Sequence, residues 1–187
     1  MSELTPNKSA YSMLQLTTYR NLQVFLVLMT VIGMSFAVFL LQRYMGFSPC
    51  PLCIFQRIGL MIMGGFALFA ALLNPKSMII KLLLWLGSLA GIAWATAVAA
   101  RHVWLQHLPA DQVPSCGPGL DYWLDTLPMQ QVLNEVLAGS GECASVDWRF
   151  LGLSIPEQSL IFFSFLLVIQ ILVLWRIFRP AISTRPT

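Results

Sequence analysis

Residues Cys50 to Leu73 read CPLCIFQRIGLMIMGGFALFAALL. From Ile54 onward the only charge is Arg57, and the run is long enough to cross a hydrocarbon core, which takes about 20 apolar residues. Three more stretches have the same character: 22–41 with no charge at all, 82–100, and about 159–175 with Gln170 as its most polar interior residue. Lipid offers no hydrogen-bond partner to a backbone amide, so each stretch is expected to be a helix. The composition agrees: 57% of the 187 residues are hydrophobic and 10% charged, with a mean hydropathy of +0.73. That excludes an ordinary soluble domain. The expected fold is all-α, an integral membrane four-helix bundle forming one domain over 1–187, with loops at about 42–53 and 101–156 on one side.

The first stretch follows Lys8 and Arg20, as a secretory signal would. Its apolar run is too long for one, and Leu40, Leu41 and Gln42 stand where cleavage needs small residues. It reads as a retained span.

Lys and Arg near the span ends set the orientation. Lys8, Arg20, Lys76, Lys81, Arg176, Arg179 and Arg185 fall on one side, and Arg43, Arg57, Arg101 and Arg149 on the other. All the acidic residues except Glu3 lie on the second side. Both termini are therefore expected in the cytoplasm and both loops outside. The net charge of +3 then reflects topology, and no basic stretch interleaved with aromatics points to nucleic acid.

This topology puts Cys50, Cys53, Cys116 and Cys143 all on the outer side, in a bacterial cell an oxidising compartment where disulfides persist. Four cysteines allow three connectivities, and topology does not choose among them. Cys50 and Cys53 are too close for a staple to remove much unfolded-state entropy; such a pair is more often redox-active or metal-binding. Pro51 suits a first helical turn. The helix dipole then favours a thiolate, the attacking species in disulfide exchange. Cys53 and Arg57 share a helix face four residues apart, which adds a cation.

A zinc site would want a second close-spaced pair of ligands, whereas Cys116 and Cys143 are far apart and His102 and His107 lack a finger-like arrangement. No metal is expected. A c-type haem needs histidine directly after the second cysteine, and Ile54 is there. In the second loop, Gly and Pro flank Cys116 in Ser115–Gly119, and glycines precede Cys143 in Gly139–Cys143, so irregular backbone is expected. A bridge between these two would either be open to exchange or simply staple the loop. Between them Met129, Val132, Leu133, Val136 and Leu137 recur at helical spacing, opposite Gln130, Gln131, Asn134 and Glu135. This predicts a short amphipathic helix over 128–138 that rests on the membrane surface or packs on the bundle. His102 ends the third span on the outer side, where it can donate a hydrogen bond or carry a proton. His107 is assigned no role. Trp104, Trp123 and Trp148 read as interface anchors.

Together these residues resemble the bacterial disulfide bond formation protein B (DsbB) family. The likeness rests on the four spans, Cys50-Pro51-Leu52-Cys53 with Arg57 behind it, the cysteine pair in the second outer loop, Arg101–Gln106 closing span three, and Asp147–Leu153 before span four. Gln56 departs from the acidic residue of some members. The resemblance implies an inner-membrane quinone-dependent thiol oxidase acting in periplasmic protein folding, part of the relay that keeps the periplasm oxidising. A reduced DsbA-like thioredoxin-fold partner would attack the Cys116–Cys143 bridge at Cys116. Electrons would pass to Cys50–Cys53 and then to ubiquinone or menaquinone, with Cys53, Arg57 and His102 at the quinone. Two alternatives stand beside it. A relative of vitamin K epoxide reductase should carry its loop pair before its CxxC, the reverse of the order here. A four-span structural protein with a stapled loop leaves Arg57 and the CxxC without a purpose.

Overall fold

The computed structural model describes residues 18–109, 111–114, 120–139, 141–144 and 148–178. Helix α1 (Tyr19–Ser35) runs into a nine-residue π-helical segment (Phe36–Tyr44). Then come α2 (Pro51–Leu73) and α3 (Met78–Gln106). Three short helices follow, α4 (Leu120–Thr126), α5 (Met129–Ala138) and α6 (Gly141–Ala144). A two-stranded hairpin, β1 (Arg149–Phe150) with β2 (Leu153–Ser154), leads into α7 (Ile155–Phe178). Tyr19–Tyr44, α2, α3 and α7 are long and apolar enough to cross a membrane, as the hydropathy pattern predicts. Each extends beyond the apolar run by several residues, because helical hydrogen bonding continues past the point where side chains become polar.

Small residues let α2 and α3 approach to backbone contact. A Cβ on Gly59 would lie 2.7 Å from the Gly91 carbonyl oxygen, and one on Gly91 would lie 2.6 Å from the Met63 amide nitrogen. Lipid tails are as apolar as leucine, so such close packing is what holds spans together. Beside this seam a buried polar chain links three spans. The Trp85 indole N–H donates to the Gln170 backbone carbonyl at 2.9 Å, Gln170 Nε2 donates to Ser88 Oγ at 2.6 Å, and Ser88 Oγ donates to the Met63 carbonyl at 3.3 Å. The surrounding core is apolar, with Leu26, Met63, Ile92, Leu166 and Val173 fully buried. Leu72, Ile79 and Ile171 point outward and remain largely exposed, as residues facing lipid would.

A second apolar cluster sits at the cysteine end, where Leu52, Val98 and Leu105 of the long helices meet Trp123, Val132, Val136 and Cys143. Of the two expectations for the amphipathic helix, packing on the bundle is the one found: Val132 and Val136 of α5 are buried in this cluster. Trp123 is buried there too, so it packs as core rather than as an interface anchor. Arg101 fixes the end of α5 by donating from Nε to the Leu137 carbonyl at 3.0 Å and from Nη2 to that of Ala138 at 3.2 Å, two of the carbonyls a helix C-terminus leaves open. Gly139 follows with a positive φ of 85°, and a Cβ there would collide with Leu105. The hairpin turns through Leu151 and Gly152, both at positive φ, as a tight two-residue turn demands. At its exit the Ser154 amide donates to the Glu157 carboxylate at 2.7 Å and Ser154 Oγ donates to Gln106 Oε1 at 2.8 Å. These bonds tie the start of α7 to the end of α3.

Candidate functional site

Pro51 at the first helical position and Cys50 as N-cap start α2. The Cys53 amide donates to the Cys50 sulfur at 3.4 Å, a thiol in the role that serine or aspartate usually takes at a helix start. The same turn brings the two sulfurs together. Cys50 and Cys53 are free thiols here, and the Cys50 thiol donates to the Cys53 sulfur at 3.1 Å. Both are half-buried.

His102 arrives from the last turns of α3 and is buried. Its Nε2 donates to the Cys143 carbonyl at 3.0 Å. A carbonyl only accepts, so in the neutral ring Nδ1 accepts, from Gln56 Nε2 at 3.3 Å. Cys50 Sγ lies 3.9 Å from Nε2 and Cys53 Sγ 4.0 Å from Nδ1. Cys143, carried by α6, is buried over the same ring. Its sulfur, the Cys50 sulfur and a ring nitrogen of His102 all lie within 4.8 Å of one another. Cys50 thus has a sulfur neighbour on each side, the geometry that lets a disulfide move from one pair to another by thiol exchange.

Arg57, one turn below Cys53, donates from Nη2 to the carbonyl of Ala37 at 3.4 Å. Ala37 lies in the π-helical segment, whose i→i+5 bonding displaces carbonyls from the α pattern. Cys50, Cys53, Gln56, Arg57 and His102 all border a cavity of about 630 Å³. Apolar groups form much of the rest, among them Phe36, Ala37 and Leu41 of the π segment, Leu60 of α2, and Phe162 and Phe163 of α7, and Ser48, Gln106, Ser154, Gln158 and Ser159 border it too. Trp148, expected only as an interface anchor, also borders it.

Five of the six residues singled out in the sequence therefore meet at one place, four of them (Cys50, Cys53, Arg57 and His102) on the cavity wall and Cys143 against His102. Cys116 lies outside the described residues. Gln56, noted in the sequence only as a departure, is buried and orients His102. Its position one turn before Leu60 on the Cys53 side of α2 was visible, but the histidine it meets is 46 residues away.

The disulfide bond formation protein DsbB family model matches residues 19–173. The chain is 85% identical over 169 residues to disulfide bond formation protein B of Psychrobacter cryohalolentis, covering 90% of this chain and 96% of that protein. The protein of the same name from Acinetobacter baumannii is 57% identical over 164 residues, 87% of this chain and 92% of that one. That of Marinobacter nauticus is 46% identical over 158 residues, 83% and 92% respectively.

Proposed function

The chain belongs to the disulfide bond formation protein DsbB family, and from that premise we propose that it is the bacterial inner-membrane oxidase that regenerates a DsbA-like periplasmic thioredoxin-fold protein and passes the electrons to a membrane quinone, ubiquinone or menaquinone. Both termini are cytoplasmic and the four cysteines periplasmic in this reading, which the distribution of Lys and Arg supports.

The reaction begins with Cys116–Cys143 and Cys50–Cys53 as disulfides. A thiolate of the reduced partner attacks the Cys116 sulfur, forming a mixed disulfide and freeing Cys143 as a thiolate. The partner's second thiolate then resolves the mixed bond, leaving the partner oxidised and Cys116 free. Cys143 next attacks Cys50, breaking Cys50–Cys53 and freeing Cys53. Cys116 closes on Cys143, and Cys50 is released. Two electrons and two protons have moved from the partner's dithiol to Cys50 and Cys53, and the loop bridge is restored. The observation that carries this reading is the seat of Cys50, 3.1 Å from the Cys53 sulfur and within 4.8 Å of that of Cys143.

A bound quinone supplies a two-electron, two-proton acceptor. The cavity suits such a group, with aromatic and aliphatic side chains for a ring and tail on the same lining as Cys50, Cys53, Arg57 and His102. Cys53 is the sulfur presented to it, Arg57 places a fixed cation on the same wall, and His102, held by Gln56 and the Cys143 carbonyl, lines the end. The test mixes the purified protein with a soluble short-chain quinone and a reduced DsbA-like protein and follows quinone absorbance. Turnover should vanish on Cys53→Ala, and Cys116→Ala should abolish the mixed disulfide with the partner. A Cys53→Ala protein that turned over normally would refute the oxidase, and undiminished trapping by Cys116→Ala would move the entry point to Cys143.

A further inference from the structure

Cys50, His102 and Cys143 come from three different elements, yet their ligand atoms lie within 4.8 Å of one another. Cys53 adds a third sulfur, 3.1 Å from that of Cys50 and 4.0 Å from His102 Nδ1. We propose that the reduced chain binds one thiophilic divalent metal ion, with zinc as the type, through Cys50, Cys143, His102 and Cys53, and that the occupied site holds the protein in its reduced state.

Zinc takes four ligands in a tetrahedron, at about 2.3 Å to sulfur and 2.0–2.1 Å to nitrogen, which spaces the donor atoms about 3.5–3.8 Å apart. Cys50, Cys143 and a ring nitrogen of His102 lie within 4.8 Å of one another and Cys53 lies 3.1 Å from Cys50, so side-chain adjustments would close the shell, with Cys53 turning from the Nδ1 edge of the ring, where it stands at 4.0 Å. His102 and Cys143 are almost wholly buried, at 3% and 1% exposure, while Cys50 and Cys53 are half-buried on the cavity wall; four protein ligands would complete the shell without a water. His102 Nε2 faces Cys50 and Cys143 and would be the ligating nitrogen, giving up its bond to the Cys143 carbonyl. The ring proton then sits on Nδ1, opposite the buried Gln56 amide, and a turn of that amide offers its oxygen as acceptor. Metal-bound histidines almost always have such an outer partner. The expectation of no metal followed from ligand spacing along the chain; these ligands are gathered by packing instead.

Binding displaces the thiol protons to solvent and changes no oxidation state. A disulfide between Cys50 and Cys53, or one using Cys143, removes donors, so binding and oxidation exclude each other. The inference uses the residues of the proposed relay but does not depend on electron transfer to a quinone.

The test titrates cobalt(II) alone into the full-length protein, detergent-purified and fully reduced under argon. One equivalent should give an intense thiolate-to-cobalt charge-transfer band with tetrahedral d–d absorption, both abolished by added zinc, and the oxidised protein should give neither. Cys143→Ser should weaken binding by more than the about 10–100-fold expected of losing an outer partner, and Gln56→Leu by about that amount with the spectrum retained. Should Cys143→Ser not fold, zinc-edge X-ray absorption on the unmutated protein must show three sulfurs and one nitrogen. Weak octahedral absorption, equal binding by oxidised protein, an unweakened Cys143→Ser, or a shell poorer in sulfur would overturn the site. A spectroscopically intact site in a protein without quinone turnover would instead refute the oxidase and leave the metal site standing.

Discussion

Arg57 spends one hydrogen bond on the carbonyl of Ala37 and keeps its charge beside Cys53 on the cavity wall. A guanidinium held this way serves whatever oxygen enters the cavity more than it serves exchange among sulfurs. Arg57→Ala should therefore raise the half-saturating quinone concentration about tenfold to a hundredfold, as loss of a charged hydrogen bond of about 1.5–3 kcal/mol implies, while the rate of exchange with a DsbA-like partner stays nearly unchanged. Lysine should restore part of the affinity, having charge without the planar fork. Steady-state kinetics with each substrate varied in turn would decide this; equal losses in both half-reactions would remove Arg57 from the quinone. At this scale the sequence was informative wherever chemistry is written into spacing: the CxxC, an arginine four residues on, a histidine closing a span. Gln56 escaped because its significance lies in a contact between helices that no local pattern records.

Helix α5 shows what a single element contributes. Its apolar stripe, legible from the recurrence of Val132 and Val136, docks on Leu52, Val98 and Leu105, and Arg101 grips its last carbonyls. The aromatic face of Trp104 lies 4.1 Å from the Arg101 guanidinium carbon and stiffens the grip. Arg101→Ala should loosen this end, speeding amide exchange at 132–139 about tenfold or more, the consequence of losing about 1.5 kcal/mol of local stability. Hydrogen-exchange mass spectrometry would read it, and unchanged rates at Val132 and Val136 would show the stripe alone to be sufficient. The sequence announced α5 and the four long helices through periodicity and length. It gave no sign of the π-helical turn wrapped around the cavity, because wide and ordinary helical turns use the same apolar residues. Nor does it separate the short hairpin from its neighbours: only the backbone shows Leu151 and Gly152 at positive φ in its turn.

For the molecule as a whole, the disposition of charge makes a claim about sides. With Lys76 between α2 and α3 and Lys81 in the first turn of α3, on the opposite end from the sulfurs, a membrane-impermeant maleimide applied to spheroplasts should, in a protein whose four native cysteines are replaced by serine, label a Gln112→Cys reporter and spare a Lys76→Cys reporter until the membrane is lysed. The reverse pattern would turn the protein over and end the periplasmic assignment. The number of spans was legible because a bilayer asks about 20 apolar residues of each helix; their full lengths, 23 to 29 residues, were not, because the helices run on into polar residues. The convergence of Cys143 on His102 was not, since it depends on how the chain between α3 and α7 folds back.

The glycine seam bears on all of this. With the Gly91 carbonyl where a Gly59 methyl would have been, the two spans bearing Cys53 and His102 meet at that crossing with no side chain between them. So close an approach leaves the two helices little room to slide past each other, which fixes the dithiol against the imidazole. Cys143 reaches that imidazole on a separate piece: α6 follows Gly139, whose place beside Leu105 leaves no room for a side chain, and Arg101 anchors the end of α5 just ahead of it.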